Sequence, residues 1–298
     1  PGSPFEEFFQ DFMDKRGNGD GLASPQASLG SGVMIDSAKG IIITNNHVIK
    51  DADQIRVTFH NDKTLPAKVL GVDEKIDLAV LQVDVKDQKF SEAPFGNSDT
   101  MRVGDWIIAI GNPFGLGGTV TAGIISARAR DIQSGPYDDY IQTDASINRG
   151  NSGGPMFNLR GEIIGINTAI FSPSGGSVGI GFAIPSALVK PVADQIVKYG
   201  HTKRGWIGVR IQSVTDDIAD SLALGAVRGA LVAGVTPKGP AEAAGLKPGD
   251  IVTEYNGQKL GAMKQLPRLV AETMPDTTGT LTVWRDGKEM KMTVKIAE

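Results

Sequence analysis

The sequence predicts a mostly β fold in two parts: two small antiparallel β-barrels, then a smaller α+β domain. Three observations carry that expectation. Glycine supplies 38 of the 298 residues, about twice the average usage, as in a turn-rich β protein. From residue 29 to residue 184, short runs of valine and isoleucine alternate with Gly, Asp, Asn and Lys turn residues. After residue 200 the pattern restarts, with strand-like segments now interrupted by helical ones.

Residues 1–28 open with Phe5, Phe8, Phe9 and Phe12 at i, i+3, i+4 and i+7, one face of a helix. That face either packs on its own domain or meets another subunit. The polar, glycine-rich stretch from Asp14 to Ser28 reads as loop. Residues 29–200 form the first domain. Strands are expected at Gly32–Ile35, Gly40–Thr44, Ile55–Phe59, Ala67–Val72 and Leu78–Val83. After the connection Asp84–Met101, a second group follows at Trp106–Ile110, Val120–Ala127, Ile141–Thr143, Met156–Asn158, Ile163–Ala169 and Gly179–Ile184. Ser186 is the expected N-cap of a helix carrying Leu188, Val189, Val192, Ile196 and Val197 on one side, with Pro191 early in it and Gly200 ending it. Residues 201–204 are a linker. Residues 205–298 are of a size to fold alone. Their strands are expected at Trp206–Ile211, Ala230–Val235, Ile251–Tyr255, Thr280–Trp284 and Lys291–Ile296, with helices near Ala241–Ala244 and Met263–Thr273.

Composition narrows the function. Apolar residues make up 40% and charged residues 21% of the chain, and mean hydropathy is −0.09, values of a globular protein with a well-buried core. No apolar run approaches the roughly 18 residues of a membrane span; binding at a membrane surface is left open but nothing indicates it. A net charge of −4 argues against nucleic acid, which requires a basic face. Cysteine is absent, which removes disulfides, thiolate catalysis and zinc–thiolate sites together. The N-terminus has neither the basic start nor the apolar core of a signal peptide. Neither a cofactor nor a metal is expected.

The stretch Asn148-Arg149-Gly150-Asn151-Ser152-Gly153-Gly154-Pro155 sets one hydroxyl among glycines. Glycine admits backbone angles closed to other residues and lets a substrate approach the main chain. Ser152 is therefore either a hairpin residue or a nucleophile beside an oxyanion hole. A nucleophile needs a base. Of three histidines, His60 lies in a polar hairpin and His201 in the linker, while His47 ends an apolar strand in Thr44-Asn45-Asn46-His47-Val48. The base needs a carboxylate to orient it. Asp77 directly precedes the apolar Leu78-Ala79-Val80-Leu81, where a buried charge demands a partner; Asp73 and Asp84 compete nearby. The segment Gly150–Gly154 also satisfies the G-x-S-x-G elbow of α/β-hydrolases, which requires a helix after it and the order Ser, Asp, His. Here Pro155 and a strand follow, and the one later histidine is His201. The order His47, Asp77, Ser152 is that of chymotrypsin-type proteases. Gly115-Leu116-Gly117-Gly118 lacks the Gly-Lys-Ser/Thr of a phosphate loop and is rejected as a nucleotide site.

Thr44–Val48, Asp77–Leu81, Gly111-Asn112-Pro113-Phe114-Gly115 and Gly150–Pro155, in this order, resemble the HtrA family of serine proteases, most nearly its bacterial DegP/DegQ branch. Gly239-Pro240-Ala241-Glu242-Ala243-Ala244-Gly245-Leu246-Lys247-Pro248-Gly249-Asp250 resembles the signature of that family's PDZ domains. The resemblance spans nearly the whole chain. It implies a chymotrypsin-like double-barrel protease domain followed by a PDZ domain. The implied activity is ATP-independent serine endoproteolysis of unfolded or misfolded proteins in the periplasm, with chaperone activity and a part in the stress response. His47, Asp77 and Ser152 would be catalytic, with the backbone N–H groups of Gly150, Asn151 and Ser152 as oxyanion hole. Thr168, Ala169, Ile170, Phe171 and Ser172 would line an extended substrate and pair with it as a strand. In the second domain, Trp206, Ile207, Gly208 and Val209 would receive a peptide C-terminus, the strand continuing through Arg210 to Ile211 would pair with that peptide, and Arg204 would assist electrostatically. Trimers are implied, with the Phe5–Phe12 patch joining them into cages. Family members carry a helix and an apolar strand ahead of the Phe-rich segment, and DegP and DegQ a second PDZ domain; neither lies within these 298 residues, so the first barrel is expected to be short of a strand.

Two further expectations concern specificity and control. A trypsin-like pocket would carry a carboxylate six residues before the nucleophile. Ser146 stands there beside Ile147, so small or medium aliphatic side chains should be accepted. Asn151 cannot pair with a cut N-terminus as a zymogen's aspartate does, so activation should come from ordering of Arg128–Asp139 and Ser172–Gly181. A histidine base must be neutral to take a proton, so activity is expected to rise between about pH 5 and about pH 8. A flat rate profile across that range would remove His47 from the role.

Overall fold

A computed structural model describes residues 29–86, 89–112, 117–135, 137–148, 150–172 and 177–298. The Phe5–Phe12 face lies outside the described residues, as does most of Gly111–Gly115. The chain begins with β1 (Val33–Asp36) and β2 (Ile41–Asn45), followed by the one-turn helix α1 (Asn46–Ile49). β3 (Ile55–Thr58), β4 (Thr64–Asp73) and β5 (Leu78–Val83) complete an antiparallel sheet in the order β1-β2-β5-β4-β3. Expected as a barrel, this half is an open five-stranded sheet, because among the described residues no strand bridges the β1 and β3 edges. β2 is buried along its whole length, since β1 and β5 flank it and one face meets the next layer.

The second half closes. β6 (Trp106–Gly111), β7 (Thr119–Arg130), β8 (Tyr140–Thr143), β9 (Pro155–Phe157), β10 (Ile163–Ile170) and β11 (Gly181–Pro185) form a barrel in the order β10-β11-β8-β7-β6-β9. Ile107, Ile125, Ile141, Ile147, Met156 and Ile164 fill it, branched side chains suiting a pleated wall. A second cluster joins the halves: Ile43 and Val80 of the sheet meet Ile166 and Ile184 of the barrel and Val189 and Ile196 of α2 (Ser186–Tyr199). Each such side chain, fully buried, contributes about 1.5–3 kcal/mol. That shared core fixes the two halves against each other. Ser186 is the first residue of α2, not its N-cap. Pro185 holds the cap position, and the Ser186 hydroxyl is committed elsewhere, donating to the Gly96 carbonyl at 2.7 Å and accepting the Ser98 N–H at 3.1 Å. Gly200 does end the helix, at φ +79°, with its N–H on the Ile196 carbonyl.

The remainder is a second layer with its own core. β12 (Val209–Ser213), α3 (Asp216–Ser221), β13 (Ala230–Val235), α4 (Pro240–Ala243), β14 (Ile251–Tyr255), β15 (Gln258–Lys259), α5 (Gln265–Glu272), β16 (Thr278–Arg285) and β17 (Lys288–Lys295) follow in sequence. The sheet runs β12-β13-β14-β16-β17, so β12 is an edge strand, and β15 pairs with β14. Leu266 and Val270 of α5 pack with Ile207, Val232, Leu281 and Ile296. The short α3 was not expected. Thr215 caps it by accepting the Ile218 N–H, and Asp216 and Asp217 stand in its first turn, where carboxylates complement the helix dipole.

Among the described residues, three ion pairs join the first domain to the linker and the second domain. Arg204 meets the buried Asp73 at 2.6 Å, and its guanidinium lies 4.9 Å above the Tyr137 ring. Arg268 of α5 pairs with Asp139, and Lys264 with Asp131. Beside them a cavity of about 170 Å³ is lined by Ile76, Leu188, Val192, Thr202, Ala271 and Glu272, among others.

Asp250 closes the Gly239–Asp250 segment with a carboxylate that is 2% exposed. It accepts both Arg285 Nε and Nη2 at 2.6 Å and the Lys247 N–H at 2.7 Å. Removing one member of such a pair strands a buried charge. Asp250→Ala is therefore expected to cost about 3 kcal/mol of second-domain stability, read from calorimetric unfolding of the whole chain; an unchanged transition would count against the pair.

Candidate active site

The seam between sheet and barrel brings three distant segments together. β2 ends at Asn45, and α1 then lifts His47 out of the apolar layer, leaving its side chain 48% exposed. The turn between β4 and β5 ends at Asp77, whose φ of +56° is unusual for a residue with a Cβ. Its backbone is held by two donors to one carbonyl: the Asn46 N–H at 3.1 Å and the Asn45 side-chain amide at 2.8 Å. With the backbone so turned, the carboxylate collects three partners. Oδ1 accepts the His47 N–H at 2.8 Å, while Oδ2 lies 2.6 Å from His47 Nδ1 and accepts the Thr168 hydroxyl at 2.9 Å. A carboxylate only accepts, so Nδ1 carries a proton and Nε2 is left as the basic nitrogen.

Ser152 sits between glycines that cannot be replaced. Gly150 and Gly153 have φ of +97° and +87°, and a Cβ on Gly153 would fall 2.2 Å from both the Ser31 carbonyl and Thr44 Oγ1. The turn is gripped on one side by Asn167, which accepts the Gly153 N–H at 2.8 Å and donates to the Gly154 carbonyl at 2.9 Å. Ser152 Oγ donates to the Thr168 carbonyl at 3.2 Å. Thr168 thus touches Ser152 and Asp77 at once, through its carbonyl and its hydroxyl. Among the described residues, the N–H groups of Gly150 and Ser152 meet no protein acceptor. The Asn151 N–H, expected to join them, instead donates to the Asn148 carbonyl at 3.0 Å, closing the turn; it is not free for an oxyanion.

β9 covers one edge of β10 only as far as Ile166, while β11 covers the other edge to Ile170. Beyond Thr168, the edge at Ala169, Ile170 and Phe171 therefore has no strand partner beside Ser152 among the described residues. Phe171 is 59% exposed, and its N–H is held by the Ile180 carbonyl at 3.0 Å; Ser172 follows it. Ser146 is exposed, whereas Ile147 is buried in the barrel core and faces Gly181, where a Cβ would come within 2.7 Å of its Cγ1. Sequence reasoning missed Ser31, Asn45 and Asn167. The one signal available was that Asn45 and Asn167 are polar positions inside strongly apolar strands, where an amide must have work to do.

In the second domain, Trp206 is paired by its backbone to Ala297 on both sides, at 2.8 and 2.9 Å. Among the described residues, the Ile207 and Gly208 N–H groups meet no protein acceptor. Gly208, at φ +78°, turns the loop into the edge strand β12, along which Val209 and Ile211 face the core and Arg210 faces solvent. Arg204 departs from expectation. Its guanidinium is committed to Asp73 and Tyr137 across the domain boundary, a buried carboxylate and an aromatic face outcompeting a solvated loop.

Comparison with known proteins gives the family of each domain. Residues 30–166 match the family described as trypsin-like peptidase domain, and residues 205–296 match the PDZ domain. The chain is 51% identical over 310 aligned positions to the probable periplasmic serine endoprotease DegP-like of Brucella suis, covering 99% of this chain and 60% of that protein. It is 46% identical to the probable periplasmic serine protease do/HhoA-like of Haemophilus influenzae, covering 98% and 63%. The chain thus spans about 60% of the length of the curated relatives it matches. Among solved structures, the HtrA-type protease AlgW with tripeptide superposes with a TM-score of 0.80 at 44% identity, covering 90% of this chain and 88% of that one. The serine endoprotease from Yersinia pestis superposes at 0.69 and 38% identity, covering 93% and 91%.

Because Gly153 has neither space nor a permissive φ for a side chain, Gly153→Ala is expected to destabilise the first domain by about 2 kcal/mol or more and to abolish labelling of Ser152 by a fluorophosphonate. Retained labelling at parental stability would show that the turn is looser than drawn.

Proposed function

The chain belongs to the HtrA-type serine proteases, and from that premise we propose that it is an endopeptidase cutting unfolded polypeptides through an acyl-enzyme. The observation that carries the proposal is a chain of contacts at the seam: His47 to Asp77, Asp77 to the Thr168 hydroxyl, and the Thr168 carbonyl to Ser152. Ser152 Oγ first leaves the Thr168 carbonyl and donates to His47 Nε2. As its oxygen attacks a peptide carbonyl carbon, Nε2 takes the proton and the carbonyl π electrons move onto oxygen, towards the Gly150 and Ser152 N–H groups. Asp77 steadies the imidazolium, which then protonates the departing amine. Water repeats the sequence to release the acyl group. Such donors, placed where charge develops, each account for about 10²–10³ in rate.

An extended substrate would lie along the free edge at Ala169–Phe171, adding a strand. Ser146, lacking a carboxylate, and the buried Ile147 favour small or medium aliphatic side chains at the cut. We assign the protease unit to residues 29–200 and the PDZ unit to residues 205–298, joined by 201–204. The Ile207 and Gly208 N–H groups would take a peptide carboxylate, with the peptide pairing against β12. A periplasmic location, chaperone activity, a stress-response role and trimeric assembly belong to the same reading.

The test is cleavage of a casein-like unfolded protein. Ser152→Ala is expected to lower the rate by at least about 10⁴-fold while leaving substrate binding intact; a variant as active as the parent would refute the nucleophile. For the second domain, amidating the C-terminus of a bound peptide is expected to weaken it about tenfold, and equal affinity would refute carboxylate capture.

A further inference from the structure

We infer that Ser31, a loop residue far in sequence from the triad, is a positioning residue that sets the oxyanion-binding turn. Four contacts converge on it. Its hydroxyl donates to the Gly150 carbonyl at 2.6 Å and accepts the Asn112 N–H at 2.8 Å. Its own N–H donates to the Ser152 carbonyl at 2.8 Å, and its carbonyl accepts the Thr44 hydroxyl at 2.6 Å. One residue therefore ties together the nucleophile turn, the end of β6 and the strand that carries His47. It grips the turn on the face opposite Asn167.

The geometry explains why the hydroxyl matters beyond packing. The peptide unit joining Gly150 to Asn151 is fixed at both ends: its carbonyl by Ser31 Oγ, its N–H by the Asn148 carbonyl at 3.0 Å. Because that unit links Gly150 to Asn151, turning it about ψ of Gly150 without a compensating turn at Asn151 would carry the Ser152 N–H away from the Gly150 N–H. Glycine at 150, with φ +97°, has little resistance of its own to such rotation, and while Asn148 holds the N–H end from within the turn, the carbonyl end is restrained from outside it, by Ser31. The fit is too close to be absorbed elsewhere. The Ser31 carbonyl stands where a Gly153 Cβ would be, and a Cβ on Gly154 would lie 3.1 Å from the Ser31 Cβ. Without the hydroxyl, the Gly150 carbonyl and the Asn112 N–H both lose a partner in a partly buried site, and relief comes by turning the peptide.

This rests on the proteolytic reading, with Gly150 and Ser152 as oxyanion donors, and predicts a defect confined to the transition state. Ser31→Ala in the full chain is expected to lower kcat about tenfold, short of the ~10²–10³ for deleting a donor outright, with KM within about twofold. A peptide aldehyde, whose hemiacetal oxygen occupies the oxyanion position, should weaken by the same factor as kcat/KM, while the matching peptide amide binds as before. Ser31→Thr, which keeps the hydroxyl, should restore both. Ser31→Cys, similar in size with a weak donor, should behave as Ser31→Ala and serves if that variant does not fold. An active parent with unchanged kcat in Ser31→Ala overturns this inference alone. So does a variant that is less stable yet binds aldehyde and amide in the parental ratio, since that is a structural role only. A parent with no Ser152-dependent cleavage overturns the proteolytic reading and this inference with it.

Discussion

The carboxylate of Asp77 is where separately built pieces of the first domain meet. Its oxygens hold the main chain and ring of His47 from one strand end and the hydroxyl of Thr168 from the barrel. Its backbone is turned to φ +56°, a conformation that costs about 1–3 kcal/mol for a residue with a side chain. The cost is met locally, by two amides on one carbonyl, and globally, by the core that presses sheet and barrel together. Loosening either would move the acid, the base and the nucleophile relative to one another.

Parts of this were legible in the sequence because they follow from period and punctuation. The apolar run Ile41–Ile43 announced a buried strand, Asp77 ahead of an apolar strand announced a carboxylate with partners, and Gly200 announced the end of a helix. What stayed hidden depends on partners far away in the chain. Asn45 reads as a turn residue until Asp77 is seen to need its amide. Arg204 reads as part of a peptide loop until Asp73, buried on another strand, claims it. Asn151 was expected to offer its N–H outward, but the turn closes on that group. Ser186 looked like a helix cap because serine usually is one there, whereas its hydroxyl serves the segment Gly96–Ser98. For Asn45, Arg204 and Ser186 a tertiary partner outbid the local preference; for Asn151 the turn's own closure did.

Charged contacts join the first domain to the linker and the second domain. Arg204, Lys264 and Arg268 reach across to Asp73, Asp131 and Asp139. Asp131 and Asp139 flank the loop between β7 and β8, and Ile76, beside Asp77, lines the cavity under α5. Contacts of this kind hold an orientation without the permanence of a shared core.

The edge strand β12 carries a further consequence. An unpaired ladder on an exposed edge is able to take up another copy of itself. β12 is only five residues long, and Arg210, Gln212 and Ser213 turn outward along it. A cation and short polar groups on a short edge make stacking of like strands unfavourable. An edge left open along its ladder is thereby kept from polymerising with its own kind.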